Sequence, residues 1–133
     1  MPKKDTEKKE SPSPKKAGKK VLIVEDERPL SHALELKFTH EGFDVVIATD
    51  GAEALKIANT TKFSVILLDL IMPNMDGFTF MEQLKKKSPI IVLSNLGQEE
   101  DKERAKELGA IGYFVKSNTP ITDIIKTVKS TMK

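Results

Sequence analysis

An α/β fold, a five-stranded parallel sheet doubly wound by five helices, is what this 133-residue sequence predicts. Three observations predict it. Short apolar runs alternate with segments of helical period along the chain, the pattern of successive βα units. The runs are continuous rather than alternating, as in Val65-Ile66-Leu67-Leu68, so the strands are covered on both faces. Charged and polar residues follow directly on those runs, at the carboxyl rim where open α/β sheets place their sites.

The elements follow in order. Val21-Leu22-Ile23-Val24 is the first strand, and Glu25-Asp26-Glu27 follows it. Pro29 suits the first turn of a helix, Leu30, Ala33, Leu34 and Phe38 keep helical spacing, and Gly42 sits where a C-terminal cap belongs. Val45-Val46-Ile47-Ala48 is the second strand, after which Asp50 can cap a helix burying Ala54, Leu55 and Ala58. The third strand runs into Asp69 and a turn marked by Pro73 and Gly77. A helix after Asp76 uses Phe78, Met81 and Leu84, and Pro89 bars its extension. Ile90-Ile91-Val92-Leu93 is the fourth strand. A charged helix over 98–108 turns Ala105 and Leu108 inward, with Gly109 beyond its end. Gly112-Tyr113-Phe114-Val115 is a fifth strand ending at Lys116. Thr119 is placed as an N-cap with Pro120 at the first helical position, and Ile121, Ile124, Ile125, Val128 and Met132 form an apolar stripe.

Composition bounds the function. A hydrophobic content of 38% and a charged content of 32% suit one globular domain with a real core. No apolar run nears the roughly 20 residues of a membrane helix, and no apolar stretch follows the lysine-rich start, so neither a membrane span nor a secretory signal is expected. Cysteine is absent, which excludes disulfides and thiolate chemistry and makes a cytoplasmic location the default. The net charge of +2 is uneven: residues 1–20 carry eight lysines against three acids, the remainder fourteen basic against seventeen acidic groups. Residues 1–19 hold almost no apolar side chain and are read as a disordered basic tail, with the domain spanning 20–133.

At the strand ends stand Glu25 and Asp26, then Asp69, then Ser94 and Asn95, then Lys116. The second strand ends in Ala48 and Thr49, which places it at an edge. With the first and third strands as neighbours, three carboxylates converge and repel unless protons or a cation join them. All-oxygen ligands suit Mg²⁺, which keeps waters and takes phosphate oxygens. A carboxylate beside a divalent cation, an ammonium and a hydroxyl can accept a phosphoryl group. Taken singly, each carboxylate is equally a helix cap and Lys116 a surface charge.

The runs Val21-Leu22-Ile23-Val24-Glu25-Asp26, Leu68-Asp69-Leu70-Ile71-Met72-Pro73-Asn74-Met75-Asp76-Gly77, Ile91-Val92-Leu93-Ser94 and Tyr113-Phe114-Val115-Lys116 together resemble the receiver domain of two-component response regulators, in its single-domain, chemotaxis-regulator-like form. The resemblance implies a flavodoxin-like sheet of order 2-1-3-4-5. It implies that Asp69 is the phosphoacceptor, served by a sensor histidine kinase or phosphotransfer protein, and that Asp26, Glu25, Asp69 and the backbone carbonyl of Ile71 hold Mg²⁺. Lys116 pairs with a phosphoryl oxygen, Ser94 is the switch hydroxyl and Tyr113 the aromatic coupled to it. The face of the fourth helix, fifth strand and fifth helix then meets a downstream protein or, after phosphorylation, a second copy. With the chain ending near the fifth helix, no attached DNA-binding domain is expected, and the domain promotes only its own phosphotransfer and dephosphorylation.

Three places depart from the family's usual pattern. Ser117 stands where proline is usual; a cis bond there would cost about 3–4 kcal/mol, so trans, or a tightly held exception, is expected. Asn95 replaces a small residue beside the switch, where it can crowd or bond a phosphoryl group. Ile71 and Leu96 are apolar at positions that tune hydrolysis, which suggests a long-lived phosphoryl state. Other classes fit worse. A phosphatase of the haloacid-dehalogenase kind wants an acid two residues after its nucleophile, where Ile71 stands; a nucleotide-binding fold wants a glycine-rich loop after the first strand. An inert scaffold does not need the acids and lysine together. His32 and His40 are expected on the surface of the first helix.

Overall fold

Each apolar run becomes a strand of one sheet in the computed structural model, which describes residues 19–131. The strands are β1 (Lys20–Val24), β2 (Asp44–Ala48), β3 (Val65–Leu68), β4 (Ile90–Ser94) and β5 (Ala110–Val115). All neighbours pair in parallel, in the order β2-β1-β3-β4-β5, as the resemblance implies. Between them run α1 (Arg28–His40), α2 (Gly51–Thr60), α3 (Gly77–Gln83) and α4 (Glu99–Glu107), and α5 (Ile121–Thr131) follows β5 after a 3-10 turn at Lys116–Asn118. The doubly wound α/β class predicted from the sequence is therefore the fold observed.

The alternation of strand side chains builds two cores. On one face Leu22, Val24, Ile66, Leu68 and Val92 pack with Ala54 and Ala58 of α2, Phe78, Phe80 and Met81 of α3, and Ala105 of α4. On the other, Val21, Ile23, Leu67, Ile91 and Leu93 meet Leu34 and Phe38 of α1 and Ile124, Ile125 and Val128 of α5. Burial of that apolar area is the main force holding helices to the sheet.

Local signals explain most boundaries. Asp50 caps α2 by accepting the N–H of Glu53 at 2.8 Å, and Asp76 caps α3 by accepting that of Thr79 at 2.8 Å. Gly42 has φ of 94° just past α1, as a helix terminus with a left-handed residue requires. Three expectations change. Helix α3 stops at Gln83 well before Pro89, because the Asn59 side chain of α2 accepts the Lys85 N–H at 2.7 Å and draws the chain away. Strand β5 starts two residues earlier, at Ala110, with a register shift opposite Ile90 and Ile91. Thr119 is not the cap of α5: its hydroxyl donates back to the Val115 carbonyl at 2.9 Å, and the Pro120 carbonyl takes the first helical N–H groups. Residues 1–18 of the basic tail and Met132 lie outside the described residues; Lys19, read into the tail, is held to the sheet, its carbonyl accepting the Asp44 N–H at 3.0 Å.

Candidate functional site

The register carries Val24 beside both Ala48 and Leu68, so the residues after β1 and β3 emerge side by side at the carboxyl rim. Glu25, Asp26 and Asp69 each offer a carboxylate oxygen there, all within 4.8 Å of one another. Glu25 and Asp69 are buried, 2% and 4% exposed, and Asp26 faces solvent. One oxygen of Asp69, Oδ1, accepts the Ile71 N–H at 3.1 Å, which orients the carboxylate and draws the backbone at Ile71 against it.

Lys116 arrives from the end of β5, its side chain only 10% exposed. Its Nζ lies 2.9 Å from Asp69 Oδ2 and 2.9 Å from Glu25 Oε1. It also meets Glu27 Oε1 at 3.2 Å. Burial works against the ammonium's charge, but the hydrogen bonds and charges of Glu25 and Asp69 outweigh it, and its pKa stands above the ordinary 10.5. Burial raises the Glu25 carboxyl, against the opposing bonds from Lys116 and the Glu27 N–H.

The β3–α3 loop is clamped under this cluster. The Gly77 N–H donates to the Leu70 carbonyl at 2.9 Å, and a Cβ on Gly77 would lie 2.8 Å from the Asp69 carbonyl oxygen and from the Leu70 Cα. The start of α2 presses on the same loop: a Cβ on Gly51 would come within 2.1 Å of the Met75 carbonyl oxygen. Asn74 takes a left-handed φ of 67° and donates to Asp50 Oδ2 at 3.3 Å.

On the other side, Ser94 ends β4 fully buried, its Oγ accepting the Leu96 N–H at 3.4 Å. The half-buried Tyr113 donates its hydroxyl hydrogen to the Leu96 carbonyl. Burial, then the charges of Asp101 and Asp69, raise its phenol pKa. The Asn95 side chain does not point to the acids but accepts the Ser117 N–H at 3.0 Å. The Lys116–Ser117 bond is trans, there being no cis peptide among the described residues. Ile71 is 57% exposed and Leu96 half-buried.

So the structure brings together Glu25, Asp26, Asp69 and Lys116 as one cluster, with Ser94 and Tyr113 joined to its neighbouring loop. Sequence reasoning missed Glu27, which reaches Lys116 from an exposed position; its being the third acid in a row was the available signal. It also missed that Asn95 and Ser117 meet each other. His32 and His40 are exposed, as expected.

The chain belongs to one family: residues 21–129 match the response regulator receiver domain. It is a receiver domain of two-component, phosphorylation-based signalling. Over 104 residues it is 40% identical to the probable transcriptional regulator ycf27 of Cyanophora paradoxa, covering 77% of this chain and 44% of that protein. Over 106 residues it is 39% identical to the alkaline phosphatase synthesis transcriptional regulatory protein PhoP of Bacillus subtilis (strain 168), again 77% and 44%. The chain thus spans less than half the length of these relatives. The receiver domain of the Francisella response regulator 1452 superposes with a TM-score of 0.79 at 31% identity, covering 86% of this chain and 96% of that one. Among the described residues no helix is long and apolar enough to cross a membrane.

Proposed function

We propose that this chain is a phosphoryl-accepting switch in which Asp69 is the acceptor. The observation that carries the reading is the placement of the buried Asp69 carboxylate 2.9 Å from the Lys116 ammonium and beside the oxygens of Glu25 and Asp26. In the reaction an Asp69 oxygen attacks the phosphorus of a phosphohistidine on the partner; the P–N bond breaks, the imidazole keeps the electron pair and takes a proton, and an acyl phosphate forms. Lys116 follows the transferred group from a carboxylate oxygen to a phosphoryl oxygen. The Ile71 N–H holds the attacking carboxylate in one orientation, which supplies much of what phosphoryl transfer needs.

The all-oxygen donor set of Glu25, Asp26 and Asp69 fits Mg²⁺; Asp26 and Asp69 would hold it directly, with Glu25 acting through water and the Ile71 carbonyl as the backbone ligand that the resemblance implies. When bound, Mg²⁺ neutralises the phosphoryl oxygens and relieves the repulsion of the acids. The phosphoryl group then draws the Ser94 hydroxyl inward, Tyr113 follows, and the α4, β5 and α5 face changes what it binds: a downstream protein or a second copy. In this reading the chain works in the cytoplasm and promotes only its own phosphotransfer and dephosphorylation.

Incubation with Mg²⁺ and acetyl phosphate, followed by intact-mass measurement, tests it. A single phosphoryl adduct is expected on the wild type, absent on Asp69→Ala and lost on chelation. No adduct from acetyl phosphate or from any histidine-phosphorylated donor would leave the fold as an inert scaffold.

A further inference from the structure

The turn after Lys116 has a tie outside the acid cluster. Its head group rests on Asp69, Glu25 and Glu27, the first of which changes when a phosphoryl group is accepted. Its backbone is held differently: the Ser117 N–H donates to Asn95 Oδ1 at 3.0 Å, across to the residue that follows Ser94. One further contact continues that seam: Tyr113 donates its hydroxyl hydrogen to the Leu96 carbonyl. Asn95 and Leu96 are thus fastened to β5 and the turn after it at two successive points. Ser117 can donate only because it is not proline, and Asn95 can accept only because it is not a small residue.

We infer that Asn95 is a positioning residue for Lys116, tying the loop that follows Ser94 to the backbone beside the lysine so that the two move as one body. The inference rests on the phosphoacceptor reading of Asp69. An exposed hydrogen bond of this kind adds little stability, so its effect falls on orientation. Movement of Ser94 toward a phosphoryl group then carries the base of the Lys116 stem with it, and the ammonium reaches the new oxygens without first searching its rotamers. The metal side of the site, on β1 and β3, is not touched by Asn95.

The test is phosphorylation of the full chain by acetyl phosphate, with Mg²⁺ titrated, for the wild type, Asn95→Ala and Asn95→Asp, the last keeping the acceptor oxygen. Asn95→Ala is expected to slow phosphorylation at saturating Mg²⁺ about tenfold, given how steeply transfer depends on placement. Half-saturating Mg²⁺ should stay unchanged, and Asn95→Asp should keep the rate within about threefold. By amide exchange, Ser117 should lose protection about fivefold in Asn95→Ala and keep it in Asn95→Asp. Equal rates in Asn95→Ala and wild type, equal losses in both variants, or a parallel loss of Mg²⁺ affinity would overturn the inference while leaving Asp69 as acceptor. No Asp69-dependent adduct on the wild type would remove the acceptor reading, and this inference with it.

Discussion

The two halves of the carboxyl rim are built on different principles. Under the acids, every residue of β3 and all but Lys20 of β1 is buried, and the loops are fixed by backbone bonds and by contacts too close to admit a Cβ at Gly51 or Gly77. Under the lysine, β5 is half-exposed along most of its length, and the loop beside it is stitched down by hydrogen bonds that Tyr113 donates to the Leu96 carbonyl and the Ser117 N–H donates to Asn95. Close packing yields only at the cost of the core, whereas such hydrogen bonds contribute about 1 kcal/mol each and exchange readily. The acids are therefore the fixed part of the site. In the proposed switch, a population shift is expected on the lysine side, where fewer close contacts have to give way.

Substitutions can break that contrast. The largest effect is expected at Lys116, which spans both halves. Lys116→Met leaves Glu25 and Asp69 buried without a cation and should cost about 3 kcal/mol at neutral pH in denaturant unfolding. The loss should shrink on adding Mg²⁺ or on lowering pH, since Glu25, already raised by burial, then binds its proton more tightly folded than unfolded. In the wild type the dependence has the same sign but lies in a different pH window. Lys116 has a raised folded pKa, so its contribution is fully present below its ordinary value of 10.5 and is lost as pH climbs through the higher folded value.

Next comes a glycine pair that sets one half against the other. Gly77→Ala forces a Cβ against the Asp69 and Leu70 backbone and should cost about 2 kcal/mol. Gly97→Ala meets only Val115 at ordinary contact distance and should stay within about 0.5 kcal/mol of wild type, or gain slightly from a stiffer unfolded chain. Equal losses at the two glycines would erase the distinction drawn between packed and stitched loops. Tyr113→Phe removes one stitch and should cost about 1 kcal/mol in thermal unfolding while leaving Mg²⁺ affinity intact. The smallest effect is kinetic: Ile71→Asn or Leu96→Glu, each admitting a polar group near the acyl phosphate, should speed dephosphorylation severalfold without changing the melting temperature. Dephosphorylation that is already fast, and unmoved by either change, would sink the expectation of a long-lived phosphoryl state.

The strands were legible because each is a continuous apolar run, and the rim because Glu25, Asp26, Asp69, Ser94 and Lys116 directly follow those runs. Thr119 was read wrongly: a hydroxyl before proline signals a cap, but its bond to the Val115 carbonyl depends on how the 3-10 turn folds back. Helix α3 was read too long for a related reason. The agent that ends it, Asn59, lies 26 residues away from Lys85 and leaves no local mark.

By itself the sequence determined the alternation of elements, which faces they bury and which residues stand at the strand ends, since these follow from side-chain period and chain direction. Only the tertiary structure decided that Lys116 rests on Glu27 as well as Asp69, and that Asn95 spends its side chain on Ser117 rather than on the acids. Those partners are separated by 89 and 22 residues. Their meeting depends on strand order, register and the path of two loops, and no periodicity along the chain encodes a distance between the ends of different strands.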